Sequence, residues 1–252
     1  TTSLGYIGVG AYDMKDGSVV KTYLAQGSPD DHNASSVTVT PDGKILAVFS
    51  SGHDTDKYIH IRLSSQKESI TSFNNDLTLE ASGRTTYAQV YRINGKYYIF
   101  FRNNSKKWCY FEGNSTSKWS EEKAFITSDV QYYMRLTETT NPYVMRVTMP
   151  GNPTSGDANI RMGFVDFSNG KVYNSDMSLL GDLGTAIPSS RFNVVIPSSG
   201  SYINRLFDIA VTDTSKTEIA YCTWKKGTTK AAYYVLRDSK TYEIVPSSHE
   251  FW

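Results

Sequence analysis

The chain has 252 residues, a formal net charge of +1 from 26 Lys and Arg against 25 Asp and Glu, and a mean hydropathy of −0.41. That balance speaks against a broad nucleic-acid-binding surface, and no window approaches the ~20 apolar residues that a membrane helix needs. With 18 Tyr, 11 Phe and 4 Trp, the composition is that of a folded domain rather than a disordered chain.

Helical periodicity is nearly absent, and short β-rich runs alternate with Gly, Asn and Asp turns. Residues 6–12 and 19–24 flank Asp16-Gly17 and predict a leading hairpin. Residues 35–40 and 45–50 flank Pro41-Asp42-Gly43-Lys44, and the runs 58–63 and 77–80 complete a four-strand unit. A second unit takes 87–92 and 97–102 around Ile93-Asn94-Gly95-Lys96, then 108–111 and 122–126. Asp-Gly and Asn-Gly supply the positive φ angles of tight hairpins. Gly43 and Gly95 recur at a spacing of 52 residues, within the range of a propeller blade. A third unit follows over 131–137, 143–149, 159–167 and 171–176, and a fourth over 205–212, 218–224, 231–236 and 242–245.

These units predict an all-β fold, a small β-propeller of four-stranded antiparallel blades forming a single domain over residues 1–252. About 50 residues per blade favours five blades. The leading hairpin matches the outer hairpin of the third unit, so the chain starts on half a blade. Either a five-bladed ring closes irregularly, or the chain is part of a larger propeller. A β-sandwich is the alternative, with strands every ~8–12 residues and no grouping in fours. Cys109 and Cys222 carry no CxxC pattern and are expected to stay unpaired, as small core hydrophobes on different blades. The start at Thr1, without Met or signal peptide, reads as a mature or excised piece.

Two of the four histidines stand in polar company. His32 lies in Asp30-Asp31-His32-Asn33, before the first inner strand, and His53 lies in Ser51-Gly52-His53-Asp54, after the second strand of the same unit. One unit on, Tyr87 opens the inner strand, two residues before Gln89, and Arg102 closes the second strand. In a blade meander these four positions are equivalent in pairs, so they are expected to converge on one rim. Imidazoles flanked by carboxylates suit proton transfer near neutral pH.

The Asp30-Asp31-His32-Asn33 run, the Pro41-Asp42-Gly43-Lys44 hairpin, Gly52-His53, the strand Ile59 to Arg62, and Tyr87 to Gln89 leading to Arg102 resemble the BNR-4 repeat propellers. That sialidase-like group includes ulvan-type polysaccharide lyases. The resemblance is best over residues 5–125, and Trp119-Ser120 looks like a degenerate Asp-box turn. It implies that His32, His53, Tyr87 and Arg102 form a catalytic cleft; Asn33, Asp54, Gln89 and Trp108 are expected to bind substrate, and the elimination scheme below requires no metal or cofactor.

A uronate lyase must neutralise the substrate carboxylate, remove the C5 proton and protonate the leaving oxygen. Arg102 suits the first task as a two-point fork. His53 or Tyr87 suits proton removal, Tyr87 the return of a proton, and His32 the holding of the carboxylate or sugar. Hydrolysis fits less well, because Arg84, Arg92, Arg135 and Arg146 show no triad spacing, and Asp30, Asp31 and Asp54, which could form a carboxylate pair, read as ordinary turn residues. The expected partner is a polysaccharide or cell-surface glycan outside the cell, with no nucleic acid and no membrane insertion. The rival reading is a non-catalytic glycan reader such as a phage tail receptor-binding protein, in which Tyr132, Tyr133, Trp108 and Trp224 would stack on sugars; a purely structural interaction propeller is the third.

Overall fold

A computed structural model describes residues 5–29, 31–74, 76–104, 106–152, 157–198, 201–211, 217–228, 230–237 and 240–250. Asp30, Thr212 and residues 251–252, which entered the sequence reading, lie outside the described residues. The chain divides into two compact units, Thr1–Phe125 and Ile126–Trp252.

In the first unit, β1 (Gly5–Tyr12) and β2 (Val19–Gly27) form a two-stranded antiparallel sheet. Next comes an antiparallel meander of β3 (Ser36–Val39), β4 (Ile45–Ser50), β5 (Tyr58–Leu63) and β6 (Leu77–Glu80). A second meander holds β7 (Thr85–Ile93), β8 (Lys96–Asn103) and β9 (Lys107–Ser115), with short β10 (Lys118–Trp119) on β9 and β11 (Lys123–Thr127) as the next strand. The two turn glycines therefore lie in separate sheets, as the recurrence predicts. Asn94 and Gly95 both adopt positive φ, 50° and 76°, the signature of a tight primed turn.

Strand alternation explains the packing. β4 is sandwiched: Leu46 and Val48 face Val90, Ile99 and Phe101 of the second meander, while Ala47 and Phe49 face Ile7 and Leu24 of the leading hairpin. Burying each large side chain here contributes roughly 1.5–3 kcal/mol.

The second unit carries a meander of β12 (Arg135–Glu138), β13 (Val144–Pro150), β14 (Ile160–Asp166), β15 (Lys171–Asn174) and β16 (Leu179–Asp182). Next, β17 (Ile187–Pro188) pairs in parallel with Ile126 and Thr127, and β18 (Asn193–Ile196) returns to β14. One edge of β14 is shared, with β18 on Ile160 to Met162 and β15 on Gly163 to Asp166. Gly163 sits at the handover, where a Cβ would lie 2.4 Å from Tyr173 O and 2.7 Å from the Phe192 ring. A last meander runs β19 (Tyr202–Val211), β20 (Thr217–Lys225), β21 (Lys230–Arg237) and β22 (Lys240–Glu250). The third unit of the sequence reading thus gains strands β16 and β18, and its inner strand begins at Arg135 rather than Gln131, with Tyr132 bridging Gly151 alone.

Cys109 and Cys222 are both buried and unpaired.

Candidate functional site

Four side chains from separate strand ends and loops meet in the first unit. His32 stands in the 3₁₀ turn Asp31–Asn33, and His53 in the loop between β4 and β5. Tyr87 sits at a bulge in β7, where the register to β8 shifts between Thr86 and Gln89, and Arg102 pairs with Thr86 across that ladder. The His32 and His53 rings are edge to face at 4.2 Å between centroids. The His32 and Tyr87 rings are 5.2 Å apart, and the Arg102 guanidinium carbon is 4.8 Å from the centre of the Tyr87 ring.

Backbone conformation is part of this arrangement. Tyr87 has φ 58° and Asp54 has φ 50°, both in the left-handed region. A non-glycine residue there costs roughly 1–2 kcal/mol, so surrounding contacts must hold it. Thr86 does so for Asp54: its hydroxyl donates to Asp54 Oδ1 at 2.9 Å and accepts from the Asp54 N–H at 2.7 Å. Bulges and left-handed residues concentrate where a strand must re-aim a side chain. Here the bulge turns Tyr87 toward the histidines.

Hydrogen bonding defines the state of His53. Arg102 Nη2 donates to His53 Nε2 at 2.9 Å. A guanidinium has no acceptor, so Nε2 accepts, and a neutral His53 carries its proton on Nδ1. Nδ1 faces the Asp54 carboxylate at 4.0 Å, and Arg102 Nη2 lies 3.9 Å from the same oxygen. The Arg102 side chain is 1% exposed and that of His53 37% exposed. The cluster is therefore layered, with a buried cation beneath and an imidazole and a phenol above it.

The other expected substrate contacts are placed differently. Asn33 is buried, and its amide donates to Ser28 O at 3.2 Å and Ser51 O at 3.4 Å, so it staples the two histidine loops together. Trp108 is 2% exposed, one residue from the end of the β8–β9 ladder opposite Arg102, because strand alternation turns it inward. It offers no face to a sugar. Tyr132 is likewise buried, while Tyr133 and Trp224 are half-buried. Gln89 is half-buried and accepts from Tyr91 OH at 2.8 Å. Asp54 belongs to the cluster through Thr86 and His53.

Sequence reasoning missed a supporting chain below the His53 loop. His60 Nε2 lies 3.0 Å from Ser51 Oγ, His60 Nδ1 is bonded to Asp76 Oδ2, and the His60 ring stacks on Phe49. Period-2 alternation on β5 puts His60 and Arg62 on one face, which was the available signal; the partner Asp76 is 16 residues away. Among the described residues, no group of three or more His, Cys, Asp or Glu is placed to hold a metal ion.

The polysaccharide lyase Uly1 superimposes with a TM-score of 0.62 at 13% identity, over 94% of this chain and 66% of the lyase. The chain thus spans just under two thirds of that protein, and the likeness is one of fold. A GH62 α-L-arabinofuranosidase catalytic domain from Coprinopsis cinerea gives 0.49 at 11% identity, covering 93% of this chain and 71% of the other. A Trypanosoma rangeli sialidase gives 0.44 at 12% identity, covering 94% and 36%. No curated protein matches in sequence. The family BNR_4, described as a BNR repeat-containing family member, matches residues 1–249. With its four-stranded meanders, its all-β propeller-type fold and a match along nearly its whole length, the chain belongs to the BNR repeat-containing family.

Proposed function

We propose that the protein acts on an acidic polysaccharide outside the cell and cleaves uronate-containing chains by β-elimination. The observation that carries this reading is the convergence of His32, His53, Tyr87 and Arg102, with Tyr87 aimed by a left-handed bulge.

The layering suggests how the work is divided. Arg102 lies too deep to present its fork to solvent, so its charge acts on the substrate carboxylate from behind His53, which it pins through Nε2 while Nδ1 faces Asp54. Neutralising the substrate carboxylate acidifies C5–H. Tyr87 and His32 then form the proton-transfer pair. One takes the C5 proton, the C4–O bond breaks as the C4=C5 double bond forms, and the Tyr87 hydroxyl delivers a proton to the departing oxygen. Water is not consumed.

A screen of acidic polysaccharides, read by the ultraviolet absorbance of the unsaturated uronate, tests the reading. Activity on at least one, lowered about 10²-fold or more in His32→Ala and in Tyr87→Phe, is the expected result. Retention of a glycan without any product would make the protein a reader instead.

A further inference from the structure

The second unit contains a cleft of about 450 Å³ that the elimination chemistry does not use. Its walls include Ser128, Asp129, Tyr132, Asp157, Arg161 and Ser190. It opens where Tyr132 bridges Gly151 ahead of the β12–β13 ladder, the same end of its sheet's first hairpin that Thr86 and Arg102 occupy in theirs.

Three of these side chains form one fixed unit. Tyr132 OH donates to Asp157 Oδ2 at 2.5 Å, and Arg161 reaches Tyr132 OH through Nε at 3.1 Å and Asp157 Oδ2 through Nη2 at 3.3 Å. Nη1 donates to Phe192 O at 3.0 Å, and the Asn159 N–H anchors Asp157 Oδ1 at 2.9 Å. Burial alone would raise the Asp157 carboxyl; its bonds from Tyr132 and Asn159 and the charge of Arg161 outweigh that and hold it below its ordinary value. The pair therefore stays ionised.

The pair also keeps capacity. Arg161 has five N–H donors, three of which have partners among the described residues. Asp157 keeps a lone pair on Oδ1. A planar donor beside a planar acceptor is the complement of two neighbouring hydroxyls, each of which can accept from one and donate to the other. The hydroxyls of Ser128 and Ser190 add further partners, and the exposed ring of Pro188 gives a C–H face. The size lies within the range of small-ligand clefts. One arginine against Asp129 and Asp157 leaves the walls net negative, which disfavours carboxylates and sulfates.

We infer that this cleft is a second saccharide site, which takes an uncharged, hydroxyl-rich sugar unit by its vicinal hydroxyls. The inference rests on the glycan reading above and adds a neutral-sugar specificity to it. It is tested with the whole chain by affinity electrophoresis in gels containing a neutral galactan, arabinan or xylan, beside gels containing an acidic polysaccharide. Two variants are used: Arg161→Gln, which breaks the donor–acceptor pair, and Ser190→Trp, which fills the exposed lip and leaves the pair intact, with thermal melting to check that each is folded. At least one neutral glycan should retard the parent, and both variants should weaken that retention tenfold or more. Elimination turnover on a short acidic oligosaccharide should stay within twofold of the parent. No retardation by any of the three neutral glycans overturns the inference, and so does retention unchanged in folded Ser190→Trp or lost only on the acidic gel. Absence of elimination activity would remove the lyase reading alone, since retention on neutral glycan is read without turnover.

Discussion

Tyr87 concentrates the cost and the use of the site in one residue. Its left-handed φ of 58° is strain that a regular strand would avoid, and what it gains is a phenol set against His32 and above Arg102. Tyr87→Phe keeps the ring and the backbone and removes only the hydroxyl. Turnover should fall by about 10²–10⁴-fold, the usual worth of a general acid–base group, with the unfolding free energy within about 0.5 kcal/mol of the parent. Kinetics and urea melts on the same samples check this, and a variant that keeps its turnover would remove Tyr87 from proton transfer. Arg102→Lys keeps a charge but cannot hold both the His53 bond and the Tyr87 ring. It should cost about 2–4 kcal/mol at the transition state, roughly 30- to 1,000-fold in kcat/KM. Turnover equal to the parent's would mean that this layering does not matter to the reaction.

At the scale of elements, the hairpins were legible because their information is local. Asn94-Gly95 and Asp42-Gly43 declare turns within four residues, and alternation on β4 and β8 declares the buried faces. Gly95 has φ 76° and no neighbour within 4 Å of where a Cβ would stand. Gly95→Ala should therefore destabilise by about 1–2 kcal/mol through backbone conformation alone, and Gly95→Asn by less, because Asn tolerates this region. Equal losses in urea melts for both would point to a side-chain clash instead. The four clustered residues were legible for the same reason, since each brackets a hairpin whose register follows from its turn. Features decided by distant partners were not. Trp108 reads equally as a sugar platform or a core residue until the neighbouring sheet is placed, and Asn33 gives no sign that it will staple two loops. Tyr132, Asp157 and Arg161 carry no motif, and the first two are 25 residues apart. The bulge at Tyr87 is likewise invisible, because a β-favouring Tyr is an unexpected residue for positive φ.

For the molecule as a whole, burial of acidic protons sets a limit on alkaline stability. Burial pushes the Tyr98 hydroxyl up to about 12 and the Cys222 thiol up to about 11, from ordinary values of 10.0 and 9.0. Each group holds its proton more tightly folded than unfolded. The stabilisation is complete below about pH 9, is eroded as unfolded chains ionise, and is gone once pH passes about 12. The Tm should fall steadily across that window, and a flat profile would show that these groups ionise as readily in the folded protein. Elimination and hydrolysis leave different atoms at the cut, and one isotope experiment separates them. An acidic polysaccharide that the protein degrades is digested in oxygen-18 water, and the fragments are weighed by mass spectrometry. Elimination breaks the C4–O bond without water, so the fragments should carry no heavy oxygen at the cleavage site, and each new non-reducing end should bear the C4=C5 double bond. One heavy oxygen per cleavage, with saturated ends, would instead mark hydrolysis and rule out β-elimination.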